Sequence, residues 1–329
     1  MILAHDITKI IPGEFKGAAF KKGHIIREED IPGFLDIGKD NIYVLELKED
    51  EIHEDEAGLT IANAIAGDGI TLTSPSEGKV NLKTSYKGLL KIKISLLEKI
   101  NSLDDIVIAT LHNNTTCAPD MIIAGTRIIP LFTKKSKIKK VKELCIKDGK
   151  LLEILPFKEK KVGVIITGNE VYKGRIEDRF GDIIKNKVEA LGSKIIKKII
   201  TPDKTKIISD SVLELESLGA DLIIVCGGLS VDPDDVTCEG VKKSGAKTIS
   251  YGAPVLPGSM FLYARLKEIP ILGAPACVLH CNATIFDLIL SRIMADDKVT
   301  RDDIIKLGHG GLCLNCKNCN FPICPFGKG

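Results

Sequence analysis

The sequence shows no surplus of charge of either sign, and this absence limits what the protein can bind. Its 46 lysine and arginine residues are balanced by 44 aspartate and glutamate residues, which leaves a formal net charge of +2. Proteins that bind nucleic acid present a concentrated basic surface to the phosphate backbone. The composition therefore predicts no nucleic-acid partner, and the basic run over residues 134–142 is typical of a solvated linker or helix face.

Long apolar segments are also lacking. No stretch approaches the roughly 18 apolar residues that a membrane-spanning helix requires. The first residues, Met1 to Asp6, do not form the basic region and apolar run of a signal peptide. We therefore expect a cytoplasmic protein with no membrane partner.

Cysteine is present but unevenly placed. Of ten cysteines, four fall within the last seventeen residues, in the pattern Cys313-x2-Cys316-x2-Cys319-x4-Cys324-Pro325. Two-residue gaps let successive thiolates turn onto one metal, so this tail predicts either an iron–sulfur cluster or Zn²⁺. The run resembles a ferredoxin motif, although its last gap is four residues rather than three. Cys277 and Cys281, spaced i,i+4 on an expected closing helix, are predicted to belong to the core.

The length of the chain suggests about two domains. Its first part predicts a β-rich α+β domain over residues 1–135, and residues 136–160 are expected to be a linker. An α/β domain over 161–300 and the Cys-rich tail over 301–329 would follow. The elements expected in the first domain are strands at 41–47, 78–83, 88–94 and 122–131, the last broken by a glycine, and a helix at 49–66.

The hydrophobic period changes from residue 161 onward. Apolar strands alternate with helices whose apolar residues recur at intervals of three and four, as Ile184, Val188 and Leu191 do. This alternation predicts a mostly parallel sheet with helices on both faces. The strands are expected at 161–166, 193–200, 221–225, 261–265 and 269–272, and helices at 203–218 and 276–294.

Three loops of this sheet carry unusual residues, and ligands of open α/β sheets bind at the carboxyl ends of the strands. The first loop is Thr167-Gly168-Asn169-Glu170, whose connection ends near Asp178. Taken alone, Asp178 is most simply the cap of the following helix. The third loop is divided between Pro257-Gly258 and Gly273-Ala274-Pro275, which by themselves are typical of turns.

The second loop, residues 227–235, has the most informative composition. Gly227 and Gly228 permit a tight turn whose amides can hold a phosphate at the start of a helix. The acids Asp232, Asp234 and Asp235 cannot favour a phosphate directly, but they can hold a divalent cation that bridges to it or act as acid and base. The loop therefore predicts a site for a phosphorylated ligand.

In this order and spacing, the motifs resemble the molybdopterin-binding domain shared by the enzymes that complete the molybdenum cofactor. Thr167 to Glu170 resembles the family's Thr-Gly-Asp/Asn-Glu motif, and Gly174 to Asp178 resembles its Gly-x-Ile-x-Asp segment. Residues 227–235 resemble its Gly-Gly-x-Ser/Gly-Val…Asp segment. The two Pro/Gly loops fall where the family has its own, and the resemblance covers about residues 160–295.

The resemblance implies a ligand and a set of site residues. The ligand would be molybdopterin or its adenylylated form, and Asp178 and Asp235 would be catalytic acids that manage Mg²⁺ and the pterin phosphate. The residues that would bind the cofactor are Thr167, Gly168, Glu170, Gly227, Gly228, Ser230, Asp232, Pro257, Gly258, Gly273 and Pro275.

Two function classes remain open. The first two motifs are most similar to the molybdopterin molybdenumtransferase branch and its clostridial-type relatives, which implies insertion of molybdate as the adenylylated pterin is hydrolysed. Gly273-Ala274-Pro275-Ala276 departs from the family's Pro-Gly-Asn-Pro loop, and a Cys-rich tail stands where the transferase has a β-rich domain. These departures favour a non-catalytic carrier or sensor of the cofactor, with a tail that responds to redox state or metal.

A nucleotide pyrophosphatase on the same fold is a third function. For any of the three we expect a homo-oligomer. Its protein partners would be molybdoenzymes or other cofactor-biosynthesis proteins.

Overall fold

The computed structural model describes residues 1, 3–11, 14–44 and 48–328. The chain divides into two compact units, and each is described by itself. The first unit comprises Met1–Tyr86, Lys91–Leu111 and Ala118–Ile154, and the second comprises Lys87–Leu90, His112–Cys117 and Leu155–Gly329. Within the described ranges, no helix is both long and apolar enough to cross a membrane.

Up to residue 156, the described residues form eleven strands and four α-helices. The strands are β1 (Ile7–Ile11), β2 (Phe15–Phe20), β3 (Glu51–His53), β4 (Ile70–Leu72), β5 (Val80–Thr84), β6 (Gly88–Ile92), β7 (Ile106–Thr110), β8 (Thr116–Cys117), β9 (Ile122–Ile128), β10 (Phe132–Lys134) and β11 (Leu152–Pro156). The helices are α1 (Ile31–Asp36), α2 (Glu54–Ile65), α3 (Ile94–Asn101) and α4 (Lys135–Asp148), and a 3₁₀ turn covers Glu28–Asp30.

The first unit is built on the antiparallel sheet β4-β5-β9-β7. Alternate residues of β5, Val80 and Leu82, are fully buried, as the period of a half-covered strand requires. Helix α2 packs against β9, and α4 packs against α2 with Ile138 and Val141 buried. Apart from Lys134, which ends β10, the lysines of residues 134–142 therefore lie on an amphipathic helix, and the segment expected to be a linker contains β11 and all but the first residue of α4.

Two local expectations for this unit differ from the structure. Of the strand expected at 41–47, residues 45–47 lie outside the described residues, residues 41–43 form no strand, and Val44 makes only an isolated bridge to Leu3. Gly125 was expected to break a strand, but it lies inside β9, paired with Asn81 on one side and Ala109 on the other. Strand neighbours on both sides hold the backbone of Gly125 in place.

The described part of the second unit contains six further strands and six further α-helices. The strands are β12 (Lys161–Thr167), β13 (Lys194–Thr201), β14 (Leu222–Cys226), β15 (Lys247–Tyr251), β16 (Leu262–Leu266) and β17 (Ile269–Ala274). The helices are α5 (Asn169–Tyr172), α6 (Phe180–Glu189), α7 (Thr205–Ser217), α8 (Thr237–Lys243), α9 (Ile285–Met294) and α10 (Arg301–Lys306), and a 3₁₀ turn covers Ala276–Leu279.

These strands form one sheet in the order β13-β12-β14-β17-β16-β15. The first four are parallel, which confirms the predicted mostly parallel α/β sheet. Every residue of β14 is fully buried because apolar layers cover both faces, one around Ile224 and the other around Ile223. The carboxyl ends of β12, β13, β14 and β17 consequently share one edge of the sheet.

The other side of the sheet is antiparallel, which the sequence pattern did not predict. Leu266 of β16 pairs with Ile269 of β17 across a two-residue turn in which Lys267 has φ +52°. Such a turn joins only antiparallel strands. β15, absent from the predicted strands, pairs antiparallel with β16.

The closing helix expected over residues 276–294 is also divided. A 3₁₀ turn comes first, and α9 begins only at Ile285 because Thr284 caps it. The Thr284 hydroxyl accepts a hydrogen bond from the Phe286 amide (3.1 Å), and the Asp287 carboxylate accepts one from the Thr284 amide (2.8 Å). This capping box fixes the start of the helix.

Candidate functional site

The loops that follow β12, β13 and β14 surround a cavity of about 920 Å³ at the carboxyl edge of the sheet. We call it the larger cavity. It contains seven of the predicted site residues, namely Thr167, Gly168, Glu170, Gly227, Gly228, Asp232 and Asp235. The structure thus brings the first and second loops together, as the parallel arrangement predicted.

The floor of the larger cavity is held by two buried threonines. The hydroxyl oxygens of Thr167 and Thr237 lie 3.1 Å apart, and the Thr237 hydroxyl donates to the carbonyl oxygen of Gly227 (2.9 Å). Gly227 has φ +90°, and a Cβ at this position would overlap the carbonyl oxygen of Thr167. Only glycine allows the two loops to approach this closely.

One carboxylate of the larger cavity, Asp203, was not predicted as a site residue. It follows β13, and its Oδ2 accepts a hydrogen bond from the Asn169 amide (2.8 Å). Burial raises the pKa of Asp203, and the negative charges of Glu170, Asp235 and Asp234 raise it further, although the Asn169 amide acts in the opposite direction. The sequence does place this acid at a strand end, but the same position also fits the start of the next predicted helix, 203–218, so the pattern alone does not mark it as a site residue.

Asp235 shapes the loop after β14. Its Oδ2 accepts a hydrogen bond from the Ser230 amide (2.8 Å), which closes residues 230–235 into a turn. On the other side of this loop lies a second cavity of about 340 Å³, which we call the smaller cavity. It shares Gly227, Gly228 and Asp235 with the larger one, and its other predicted site residues are Ser230, Gly258 and Pro275.

Three predicted positions line neither cavity: Asp178, Pro257 and Gly273. Gly273 lies in β17, where a Cβ would meet the side chains of Leu262 and Leu229, so its role is close packing in the sheet. The helix expected to begin at the Gly-Gly loop begins only at Thr237. Its N-terminus therefore does not belong to the loop that was predicted to hold phosphate.

Asp178 is held in a structural position. Its Oδ1 accepts hydrogen bonds from the amides of Phe180 (2.8 Å) and Gly181 (3.0 Å) at the start of α6, and its Oδ2 accepts one from Lys198 (2.8 Å). Burial disfavours its charge, but the bonds from Lys198 and the two amides outweigh burial and hold the pKa of Asp178 below its ordinary range. These contacts match the helix cap that the residue alone suggested.

We expect Asp178→Ala to lower the free energy of unfolding by about 1–2 kcal/mol at pH 7. Because the folded-state pKa of Asp178 is depressed, its stabilisation is present above the unfolded pKa and is lost as the pH falls through the folded one. The difference between the two proteins should therefore narrow below about pH 4. Urea unfolding at several pH values measures it, with Asp182→Ala, an exposed acid in the first turn of α6, as control. Unchanged stability would contradict the structural role.

The cysteine tail is anchored at both ends within the second unit. Leu312 forms a bridge with Leu256, and the Cys313 amide donates to the Leu256 carbonyl oxygen (2.8 Å). At the other end, Phe326 is buried in the core and the Lys328 ammonium donates to the Thr115 hydroxyl (2.7 Å). Between these anchors Cys316 and Cys319 are exposed, whereas Cys313 and Cys324 are half-buried.

The four thiols are not gathered into a metal-binding arrangement. Across the described parts of the chain, no three His, Cys, Asp or Glu side chains are grouped so that they could hold a metal ion. This holds for the tail cysteines and for the acids of the larger cavity alike. The predicted iron–sulfur or zinc site is therefore not supported by the geometry.

Two protein families match parts of the chain. Residues 1–46 match a domain of unknown function, and residues 163–291 match the family described as "Probable molybdopterin binding domain". The second match covers all three loops of the candidate site.

Curated relatives match shorter stretches of the chain. A molybdopterin adenylyltransferase from Pyrococcus furiosus is 32% identical over 92 residues, 28% of this chain and 54% of the relative. A CinA-like protein from Mycobacterium tuberculosis is 35% identical over 83 residues, 25% of this chain and 19% of that protein. The chain thus spans about half the length of the first relative and about a fifth of the second.

Among solved structures, the tungsten cofactor synthesizing protein MoaB from Pyrococcus furiosus is 23% identical. The similarity covers 41% of this chain and 93% of that one, with a TM-score of 0.34. The assignment therefore rests on the matched domain and its motifs. The match over residues 163–291 thus identifies a probable molybdopterin-binding domain in this chain.

Proposed function

We propose that the protein binds molybdopterin or its adenylylated form in the larger cavity and inserts molybdate as the adenylylated pterin is hydrolysed to AMP. One observation carries the proposal. The Gly227-Gly228 turn and the carboxylates of Glu170 and Asp203 face one cavity at the sheet edge where α/β proteins bind ligands. A phosphate cradle and a group of acids in one cavity suit a phosphorylated ligand that is bound together with a cation.

The phosphate is assigned to the loop after β14. Gly227 and Gly228 both have positive φ, and successive residues in such turn conformations can direct their backbone amides toward a bound anion. The exposed Ser230 hydroxyl provides a further donor beside them. Asp235 holds the loop in shape through the Ser230 amide, so we assign it a positioning role as well as proximity to the phosphate.

Mg²⁺ fits the donor set on the opposite wall. Mg²⁺ usually keeps several waters and takes only one or two carboxylates besides the oxygens of a bound phosphate, so it does not need a complete protein cage. Asp203 and Glu170 are the acids that would hold it, and the negative charge of Glu170, which raises the pKa of Asp203, favours a cation beside the two. When bound, Mg²⁺ would neutralise the charge of the phosphates. We assign this role to Asp203 rather than to Asp178, whose two oxygens hold α6 and Lys198.

A carrier or sensor of the cofactor is the second candidate. The observation in its favour is the smaller cavity. The loop that departs from the family's Pro-Gly-Asn-Pro pattern contributes Ala274, Pro275 and Ala276 to its wall. These residues add no charged or hydroxyl group to that wall. In this case the protein would bind the pterin without turning it over and would pass it to a molybdoenzyme or another cofactor-biosynthesis protein.

Product analysis separates the functions. We expect purified protein to release AMP from the adenylylated pterin only when molybdate and Mg²⁺ are both present. Formation of the adenylylated pterin from ATP, with release of pyrophosphate, would instead favour an adenylyltransferase. Tight pterin binding with neither product would favour the carrier, and AMP release from unrelated nucleotides would favour a pyrophosphatase. Native mass spectrometry of the same protein determines whether it is a homo-oligomer.

We further propose, from cysteine spacing, that Cys313, Cys316, Cys319 and Cys324 bind an iron–sulfur cluster or Zn²⁺. The two anchored ends of the tail support this, because a metal would only have to draw together the segment between them. Metal analysis and absorption spectra of anaerobically purified protein are expected to show bound metal that is lost in a Cys316→Ser, Cys319→Ser double variant. Metal-free protein would contradict this proposal and leave the pterin site unaffected.

A further inference from the structure

The segment between β17 and α9 contains two cysteines close to the smaller cavity. Cys277 lies in the 3₁₀ turn, and Cys281 follows the turn before Thr284 caps α9. Both side chains are half-buried, not enclosed in the core as their spacing suggested. The break in the expected closing helix places them at the surface of the site.

The local geometry brings the two residues within disulfide range. The Cys281 amide donates to the Cys277 carbonyl oxygen at 2.8 Å, which closes one helical turn between them. Residues four apart that share such a hydrogen bond have Cα atoms about 6 Å apart. Disulfides form across Cα separations of about 4.4–6.8 Å.

The thiols also interact with each other electrostatically. Burial raises the pKa of Cys277, and the negative charge of the Cys281 thiolate raises it further. This coupling agrees with the short separation that the backbone turn sets. The two thiols are therefore close enough that the charge of one affects the ionisation of the other.

Cys277 forms part of the wall of the smaller cavity, together with Pro275, Gly228 and Ser230. A change at its sulfur atom therefore changes the surface that a ligand would meet beside the Gly-Gly loop. Cys281 does not line this cavity. A bond between the two sulfurs would draw the Cys277 side chain toward Cys281 and reshape the wall.

We propose that Cys277 and Cys281 are a thiol–disulfide modification site at the wall of the smaller cavity. A low-molecular-weight disulfide is the oxidant. A Cys277 or Cys281 thiolate attacks it and releases one small thiol, and the second cysteine then attacks the mixed disulfide and releases the other. The protein loses two protons and two electrons to form one S–S bond, and the oxidant takes them up to become two thiols.

The disulfide between Cys277 and Cys281 can be detected by mass spectrometry of a tryptic peptide that contains no other cysteine. Trypsin cuts after Lys267 and Arg292, and the peptide of residues 268–292 contains Cys277 and Cys281 alone. We expect folded protein treated with oxidised glutathione, and then blocked with iodoacetamide, to yield this peptide lighter by two hydrogens. Dithiothreitol should restore the two free thiols. A peptide with two glutathione adducts, or with two thiols still open to iodoacetamide, would overturn the proposal.

Single variants test the order of the reaction. Cys281→Ser removes the second thiol, so glutathione should remain attached to Cys277, and Cys277→Ser should retain it on Cys281. Cys238→Ser, a half-buried cysteine on α8, should leave the 268–292 peptide as in the wild type. If neither single variant yields a 268–292 peptide that carries glutathione, the mechanism is also contradicted. Since the bond is read in the absence of pterin, its failure is distinguishable from failure of the proposed function.

Discussion

Asp203→Asn is expected to reduce AMP release by about 100-fold while it raises the free energy of unfolding at pH 7. The side chain faces Glu170, Asp234 and Asp235 across the larger cavity, and burial together with these charges raises its pKa. Asparagine keeps an oxygen for the bond from the Asn169 amide but carries no charge. The substitution therefore removes a repulsion from the folded protein and a ligand from the cation.

The pH dependence gives the stability effect a definite sign. Because the folded-state pKa of Asp203 is raised, its neutral form is favoured by folding, and stability is lost as the pH rises from the unfolded pKa through the folded one. Asparagine does not titrate. The stability advantage of the variant should therefore be greatest at neutral pH. It should vanish near about pH 3, where the Asp203 carboxyl group of the wild type is protonated in both the folded and the unfolded protein.

Mg²⁺ binding provides a readout that does not depend on turnover. A cation that binds only the folded state raises the melting temperature, so Mg²⁺ should raise that of the wild type and have little effect on Asp203→Asn. Asp210→Asn removes the same charge from an exposed position on α7 and serves as the matched control. If Asp203→Asn keeps both AMP release and the Mg²⁺ effect, Asp203 is not a cation ligand.

The contrast between Asp203 and Asp178 shows how far the sequence predicts the site. Motif order placed the loops after β12 and β14 correctly because parallel strands carry their carboxyl ends to one edge. It could not show which acid faces the cavity. Asp178 turns toward the amides of α6 and Lys198, whereas Asp203, outside every motif, turns toward Glu170. Those directions depend on where α6 and β13 lie, which is tertiary information.

The limits for the fold have a similar origin. The fully apolar run of β14 identified a strand covered on both faces, since no other environment suits it. The strands β15 and β16 were harder to place because strand direction depends on the turn between neighbours, and the turn at Lys267 contains no glycine or asparagine that would have identified a hairpin. The basic run of α4 resembled a linker because its lysines outnumber the few apolar residues, Ile138 and Val141 among them, that hold it to the first unit.

Gly227→Ala is expected to lower the free energy of unfolding by about 3 kcal/mol or more, which would be among the largest effects of a single methyl group in this chain. Two costs combine at this position. The residue has φ +90°, which an L side chain rarely adopts, and the added Cβ would overlap the carbonyl oxygen of Thr167. Because Thr167 ends β12, which is paired with a strand on each side, and lies against Thr237, it cannot move without disturbing the floor of the larger cavity.

Gly219→Ala separates these two costs. Gly219 also has a positive φ, +75°, but a Cβ there meets nothing within 4 Å. The Gly219→Ala variant should therefore lose only about 1–2 kcal/mol of its free energy of unfolding, which is the cost of the backbone conformation alone. Urea unfolding of both variants measures the difference, which is the contribution of the close approach between the loops after β12 and β14. Equal losses would mean that Gly227 is required only for its φ. A larger loss at Gly227 would mean that the contact with Thr167 holds the phosphate loop in place, and the surviving folded protein should then also bind the pterin more weakly.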